Sequence, residues 1–287
     1  MKTLLIARYT ILEALRRRVL LAIFILSIAY LALFALGFWL LHRAIVEQAA
    51  RVSPNGGNGL VIFTAGMTLL GFYSLGFLSS LMAVFASAGA ISGEVESGLL
   101  HAVLAKPIRR RDIVLGKWLG QAVVITIYVC AMTAGMVGAS QVAAGYSPPH
   151  PILAAAFMTW SALILLALGI LGGTFMPTLA NGIAVFLLFG LSRGASFIEV
   201  VGHLVRSDAM VNLAIAVSLL IPSDALWEAA SYYLQPTVLI MAQNLSSGNI
   251  MPFASSTPPT TAMLMWSAGY MLVMLVTAIF IFARRDL

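Results

Sequence analysis

The chain has 287 residues, 61% of them apolar and only 9% charged, with a mean hydropathy of +1.00 and a formal net charge of +6. An ordinary globular domain carries roughly 25% charged residues, and no water-soluble core could hide this much hydrocarbon, so composition excludes a soluble protein. The cations cluster beside apolar runs, as membrane orientation requires, which argues against nucleic acid as a partner.

The predicted elements are helices throughout. Met1–Arg18 sets Leu4, Leu5, Arg8, Ile11, Leu12 and Leu15 at helical spacing, the pattern of an amphipathic helix lying in the membrane interface. The basic cluster Arg16–Arg18 comes late and the next apolar run is long, so the segment reads as an uncleaved anchor rather than a signal peptide. Val19–Leu41 is the first span, long enough to cross a hydrocarbon core about 30 Å thick, with Tyr30 and Trp39 as interface or packing aromatics. His42–Asn58 reads as a polar loop ending in turn-forming residues. Gly59–Ala90 has no charged residue and is longer than a bilayer requires, so it is expected to kink or to project. Gly66, Gly71 and Gly76 offer close-packing points, and Ser74, Ser79, Ser80 and Ser87 can bond carbonyls.

A polar island at 91–117 follows, carrying Glu94, Glu96, Lys106, Arg109, Arg110, Arg111, Asp112 and Lys117. Ile91–Ala105 should continue as a helix, with Glu94 and Glu96 near its start. Pro107 breaks it, Arg109–Arg111 form a basic knob, and Asp112 can cap the next helix. That helix is the third span, 118–144, where Ala131, Gly135 and Ala139 make a small-residue stripe. Spans at 152–176 and 179–201 form a hairpin interrupted by Pro177, and the last span is 260–282. The region 202–259 is ambiguous. Ala209–Ile221 is short for a crossing, and Ser223 or Asp224 can cap an amphipathic helix that follows it. The reading preferred here is re-entrant or interfacial helices on the outer side, against the alternative of two further crossings.

With six spans and an inner N-terminus, twelve of the sixteen Lys and Arg residues fall on the inner side. The excess orients both termini and the island to the cytoplasm. The whole chain is thus one membrane domain of the all-α class, with six transmembrane helices, an N-terminal interfacial helix and a re-entrant segment before the last span.

Chemistry is sparse. The chain has no glycine-rich phosphate loop with a trailing Lys-Ser/Thr, no HExxH and no CxxC, so it reads as neither an ATP-binding subunit nor a zinc enzyme, with no catalytic residue, cofactor or metal of its own. Cys130 is alone, and His42, His101, His150 and His203 are scattered. The fourteen methionines are adaptable apolar filler. Only Arg193 and Glu199 fall inside a predicted span, both near its outer end, where Arg193 can snorkel or contribute to a pathway. Spans this poor in charge disfavour an ion-coupled carrier or channel; a non-transporting scaffold stays open. Energy for transport must enter from a partner.

Three stretches of the island carry a resemblance: Gly93-Glu94-x-Glu96-x-Gly98, Leu104-x-x-Pro107-Ile108-x-Arg110, and Val114-Leu115-Gly116-Lys117. Together with Ala7-Arg8…Glu13-x-Leu15-Arg16 and the terminal Arg284-Arg285-Asp286-Leu287, they resemble the permeases of type-2 ABC exporters. The sequence is broadly similar to the branch that includes the permease of nitrous-oxide-reductase maturation. Family members often have threonine after the island glycine, where this chain has Leu99. The resemblance implies an export permease of the prokaryotic inner membrane, paired with a second permease copy and two separate ATP-binding subunits that hold ATP and Mg. It implies that the island, through Glu94, Glu96, Gly98, Pro107, Arg109, Arg110, Arg111 and Lys117, includes the coupling helix, that Arg8, Glu13 and Arg16 belong to the interfacial helix, and that the re-entrant segment helps close an outer gate.

Overall fold

The computed structural model describes residues 2–52, 57–98, 109–245 and 253–285. Every regular element among them is helical: α1 (Lys2–Arg16), α2 (Arg18–Val52), α3 (Gly57–Ala88), α4 (Ser92–Glu96), α5 (Arg110–Ala144), α6 (Pro151–Gly173), α7 (Thr178–Val205), α8 (Asp208–Leu220), α9 (Ser223–Leu234), α10 (Thr237–Leu245) and α11 (Thr261–Arg284). Six of these, α2, α3, α5, α6, α7 and α11, are long and apolar enough to cross a membrane. The chain is an all-α membrane protein, as composition requires.

The spans α3 and α6 are the most enclosed, whereas α2 and α11 stand at the periphery with most of their apolar side chains outward. Outward hydrocarbon is the expected state where lipid replaces water as solvent. Phe72, Leu69, Ile125, Leu165 and Leu166 pack between α3, α5 and α6 as the bundle's core. The serines of α3 serve their own helix: Ser79 and Ser80 donate to the carbonyls of Leu75 and Gly76, four residues back.

Several boundaries differ from the sequence reading. The stretch from His42 is helical to Val52 and continues the first span's helix instead of opening a loop, with Arg43 over the Trp39 ring at 4.1 Å one turn back. The island helix is short. After Ala88 the chain turns, α4 covers only Ser92–Glu96, and Gly98 adopts φ +72°, a left-handed conformation that glycine reaches without strain. Leu99 to Ile108, including Pro107 and the expected continuation to Ala105, lie outside the described residues.

Helices α8 and α9 meet at 98°. Their elbow sits at mid-span depth, where Ser192, halfway along α7, donates to the Ile221 carbonyl at 2.9 Å. Ser161, near the middle of α6, donates to that of Ser223 at 2.7 Å. Both outer ends of the pair return to one end of the bundle, because α8 starts directly after α7 and the His150 amide, just ahead of α6, donates to the Tyr233 carbonyl. At 13 residues, α8 extends about 20 Å and cannot cross a core of about 30 Å. The pair enters and leaves on the same side, so it is re-entrant and does not make two crossings.

Candidate functional site

Two clusters of charged side chains stand out among the described residues: a junction at the end of the bundle where the island lies, and a buried ion pair at the elbow.

The junction begins with α1. Its leucines face outward, Leu4 being 71% exposed, and its small face of Ala7, Thr10 and Ala14 is buried. That face seats on Gly116 and Gly120 of α5, so close that a Cβ on Gly120 would stand 2.6 Å from the Ala7 carbonyl oxygen and one on Gly116 2.7 Å from Ile6 Cβ. Close approach requires glycine here. Thr3 Oγ1 donates to Asp112 Oδ1 at 3.1 Å, which ties the start of α1 to α5. Asp112 is therefore not a cap; the residue at that position is Arg109, with no side-chain cap bond.

This seating brings Glu13 to Lys117. Lys117 is only 4% exposed, and its Nζ donates to Glu13 Oε2 at 3.1 Å and to Glu94 Oε1. Arg17 completes the group, with Nη2 at 2.7 Å from Glu13 Oε1 and 3.3 Å from the Gly89 carbonyl. Two cations face two carboxylates, which is the condition under which a buried ammonium is tolerated. Burial pushes the Glu13 carboxyl upward, but Lys117 and Arg17 outweigh it and hold the group below its usual range.

The C-terminal carbonyls of α3 would otherwise be orphaned. They are taken up by side chains from separate elements: Gln121 Nε2 donates to Ala86 (2.8 Å), Asn181 Nδ2 to Ala88 (3.2 Å) and Arg17 to Gly89. Asn181 also donates to the Gly169 carbonyl of α6 at 2.8 Å. Glu96 accepts from the Thr178 amide (2.8 Å) and hydroxyl (3.0 Å), and so caps the start of α7. Arg110 donates to the α11 carbonyls of Phe282 (3.0 Å), Ala283 and Arg285, and Arg285 Nη1 reaches the Thr174 carbonyl at 2.6 Å. The start of the island is thus bonded to α5 and α7 through Glu94 and Glu96, and its far end to α1 through Lys117 and to α11 through Arg110.

Of the residues singled out from the sequence, Glu94, Lys117 and Glu13 come together, while Glu96 and Arg110 bond neighbouring helix ends. Gly98, Arg109, Arg111, Arg8 and Arg16 are exposed, and Pro107 is outside the described residues. Gln121 and Asn181 are not singled out by the sequence, and Arg17 only as part of the basic cluster Arg16–Arg18; the signal for all three is that they are polar residues at or near the ends of apolar runs.

At the elbow, Arg193 does not snorkel. It is 9% exposed, its Nη1 lies 3.1 Å from Asp224 Oδ1, and its guanidinium stands 4.9 Å from the Tyr73 ring and 5.4 Å from that of Trp227. Gly76 of α3 makes the room, since a Cβ there would come within 3.3 Å of Arg193 Nη2. Ser196 donates to Asp224 Oδ2 and, at 3.3 Å, to Glu228 Oε1. Asp224 is therefore an ion-pair partner rather than a cap. Pro222 holds the cap position of α9, and Ser223 shares a hydrogen bond with Ser192.

Among the described residues, no group of three or more His, Cys, Asp or Glu could hold a metal ion. Both arrangements join helices. In comparison with known proteins, residues 5–287 match the family described as "ABC-2 family transporter protein". No curated protein matches the chain.

Proposed function

The chain belongs to the ABC-2 transporter family and is the membrane permease of an ABC transporter, whose ATPase activity resides in a partner; from that premise we propose that it is an exporter subunit driven through its island. In this reading two ATP-binding subunits, holding ATP and Mg, dock on the island at 91–117, and a second permease copy completes the translocation path. The membrane is a prokaryotic cytoplasmic membrane with both chain ends inside, as the twelve-to-four distribution of cations favours.

The observation that carries the reading is the Lys117 junction. A push delivered to the island reaches α1 through Glu13, the end of α3 through Glu94 and Arg17, and α5 through Lys117 itself. Glu96 extends the same linkage to α7. A solvated connecting loop would need none of these bonds. The re-entrant pair, which enters from the opposite end and is held to α7 at mid-span depth by Arg193 and Asp224, is the closure on that side.

The test is reconstitution with the cognate ATP-binding subunit. Wild-type permease should co-purify with it and raise its ATP turnover. Glu94→Ala with Glu96→Ala should keep the complex but lose most of the stimulation. Stimulation at the wild-type level in the double variant would reject the coupling role.

A further inference from the structure

An exposed groove lies between the turn after α6 and the end of α11. It has a volume of about 500 Å³ and is lined by Thr174, Phe175, Phe280, Ile281, Arg284 and Arg285. Phe175 and Phe280 are both more than half exposed, on the flank of the bundle where lipid is the solvent. The two arginines stand at the last residues of the span, the depth at which a bilayer changes from hydrocarbon to phosphate.

From this geometry we infer that the groove binds one anionic phospholipid, with its phosphate between Arg284 and Arg285 and an acyl chain along Phe175, Phe280 and Ile281. Charge complementarity selects the headgroup. Arg284 lies over the Phe280 ring at 4.0 Å, and Arg285 commits one nitrogen to the Thr174 carbonyl. Among the described residues neither has a carboxylate partner. A helix C-terminus would ordinarily repel a phosphate. Here Arg110 bonds the carbonyls of Phe282, Ala283 and Arg285, so the repelling dipole is covered by a third cation. Among the described residues, Glu96, which lies at the same end of the bundle, is occupied by Thr178. Planar guanidinium groups suit phosphate oxygens better than a point charge does.

The inference is independent of the ATP-binding partner, and so is its experiment. Native mass spectrometry of the purified full-length permease, given equal amounts of phosphatidylglycerol and phosphatidylcholine, should show phosphatidylglycerol retained several-fold more. Arg284→Gln with Arg285→Gln should bring retention of the two lipids to parity. Arg284→Gln alone, which leaves the Arg285–Thr174 bond in place, should lower the preference at least twofold and stands in if the double variant does not fold. Arg8→Gln with Arg16→Gln, which removes two exposed cations of α1, should leave the preference unchanged. Equal retention by the wild type, a preference that survives both groove variants, an equal loss in the α1 variant, or displacement of the lipid by millimolar inorganic phosphate would each overturn the assignment.

Discussion

Lys117 on α5 and Glu13 on α1 are 104 residues apart in sequence and 3.1 Å apart in space, and the ammonium between them and Glu94 is almost wholly enclosed. Removing the cation leaves two carboxylates facing each other with only Arg17 to balance them. Because both acids keep some access to water, Lys117→Met should cost about 2 kcal/mol, less than for a fully buried pair. Thermal unfolding in detergent should show a midpoint several degrees lower. Adding Glu94→Gln to the Lys117→Met background should then recover part of the loss, and strict additivity would show that the two residues do not interact.

The same junction makes α1 sensitive to acid. The Glu13 carboxyl is held below its usual value of 4.5 in the folded protein, with Lys117 and Arg17 overcoming the upward effect of burial. A depressed carboxylate contributes stability that is complete above the unfolded value and is lost as pH falls through the folded one. Detachment of α1, read by proteolysis at the exposed Arg8 and Arg16, should therefore increase as pH is lowered below about 4.5 in the wild type. In Glu13→Gln it should be high already at neutral pH and change less on acidification. Identical pH profiles would remove Glu13 from the linkage.

The six spans were legible from the apolar runs alone, since a bilayer demands about 20 apolar residues and no other fold consumes so many. What joins them was not. The leucine stripe of α1 was visible, but the face that seats the helix is Ala7, Thr10 and Ala14 on Gly116 and Gly120. Small residues give no periodic hydrophobic signal, and their meaning depends on a helix a hundred residues away. Asp224 at the head of α9 has the local signature of a cap, which masks its long-range role as the partner of Arg193. The acids and bases of the island stand together in the sequence, yet chain order could not reveal that Lys117 turns inward while Arg109 and Arg111 turn out.

At the elbow the ion pair can be tested by order of substitution. Arg193→Met leaves Asp224, only 2% exposed, without its cation. The loss should be large, about 3 kcal/mol, whereas Arg193→Met combined with Asp224→Asn should be milder because the Asp224 charge is removed together with its partner. Thermal midpoints of the two singles and the double close the cycle. If the double were as unstable as the sum of the singles, Arg193 and Asp224 would be independent and the elbow would be held by Ser192 and Ser161 instead.

The seating of α1 separates the mechanical reading from general stability. Gly120→Val places branched carbon against the Ala7 carbonyl and Thr10, where a Cβ alone would already stand at 2.6 Å and 2.7 Å, so α1 must shift away. Gly138→Ala on the same helix meets nothing within 4 Å and, by relieving a glycine of its backbone entropy, should be neutral or slightly stabilising. If α1 only anchors the chain in the interface, Gly120→Val should lower the thermal midpoint and leave stimulated ATP turnover per folded complex unchanged. If α1 belongs to the unit that moves with the island, stimulation should fall several-fold in the folded fraction, while Gly138→Ala retains it. Loss of stability without loss of stimulation would confine the Lys117 junction to holding the bundle together.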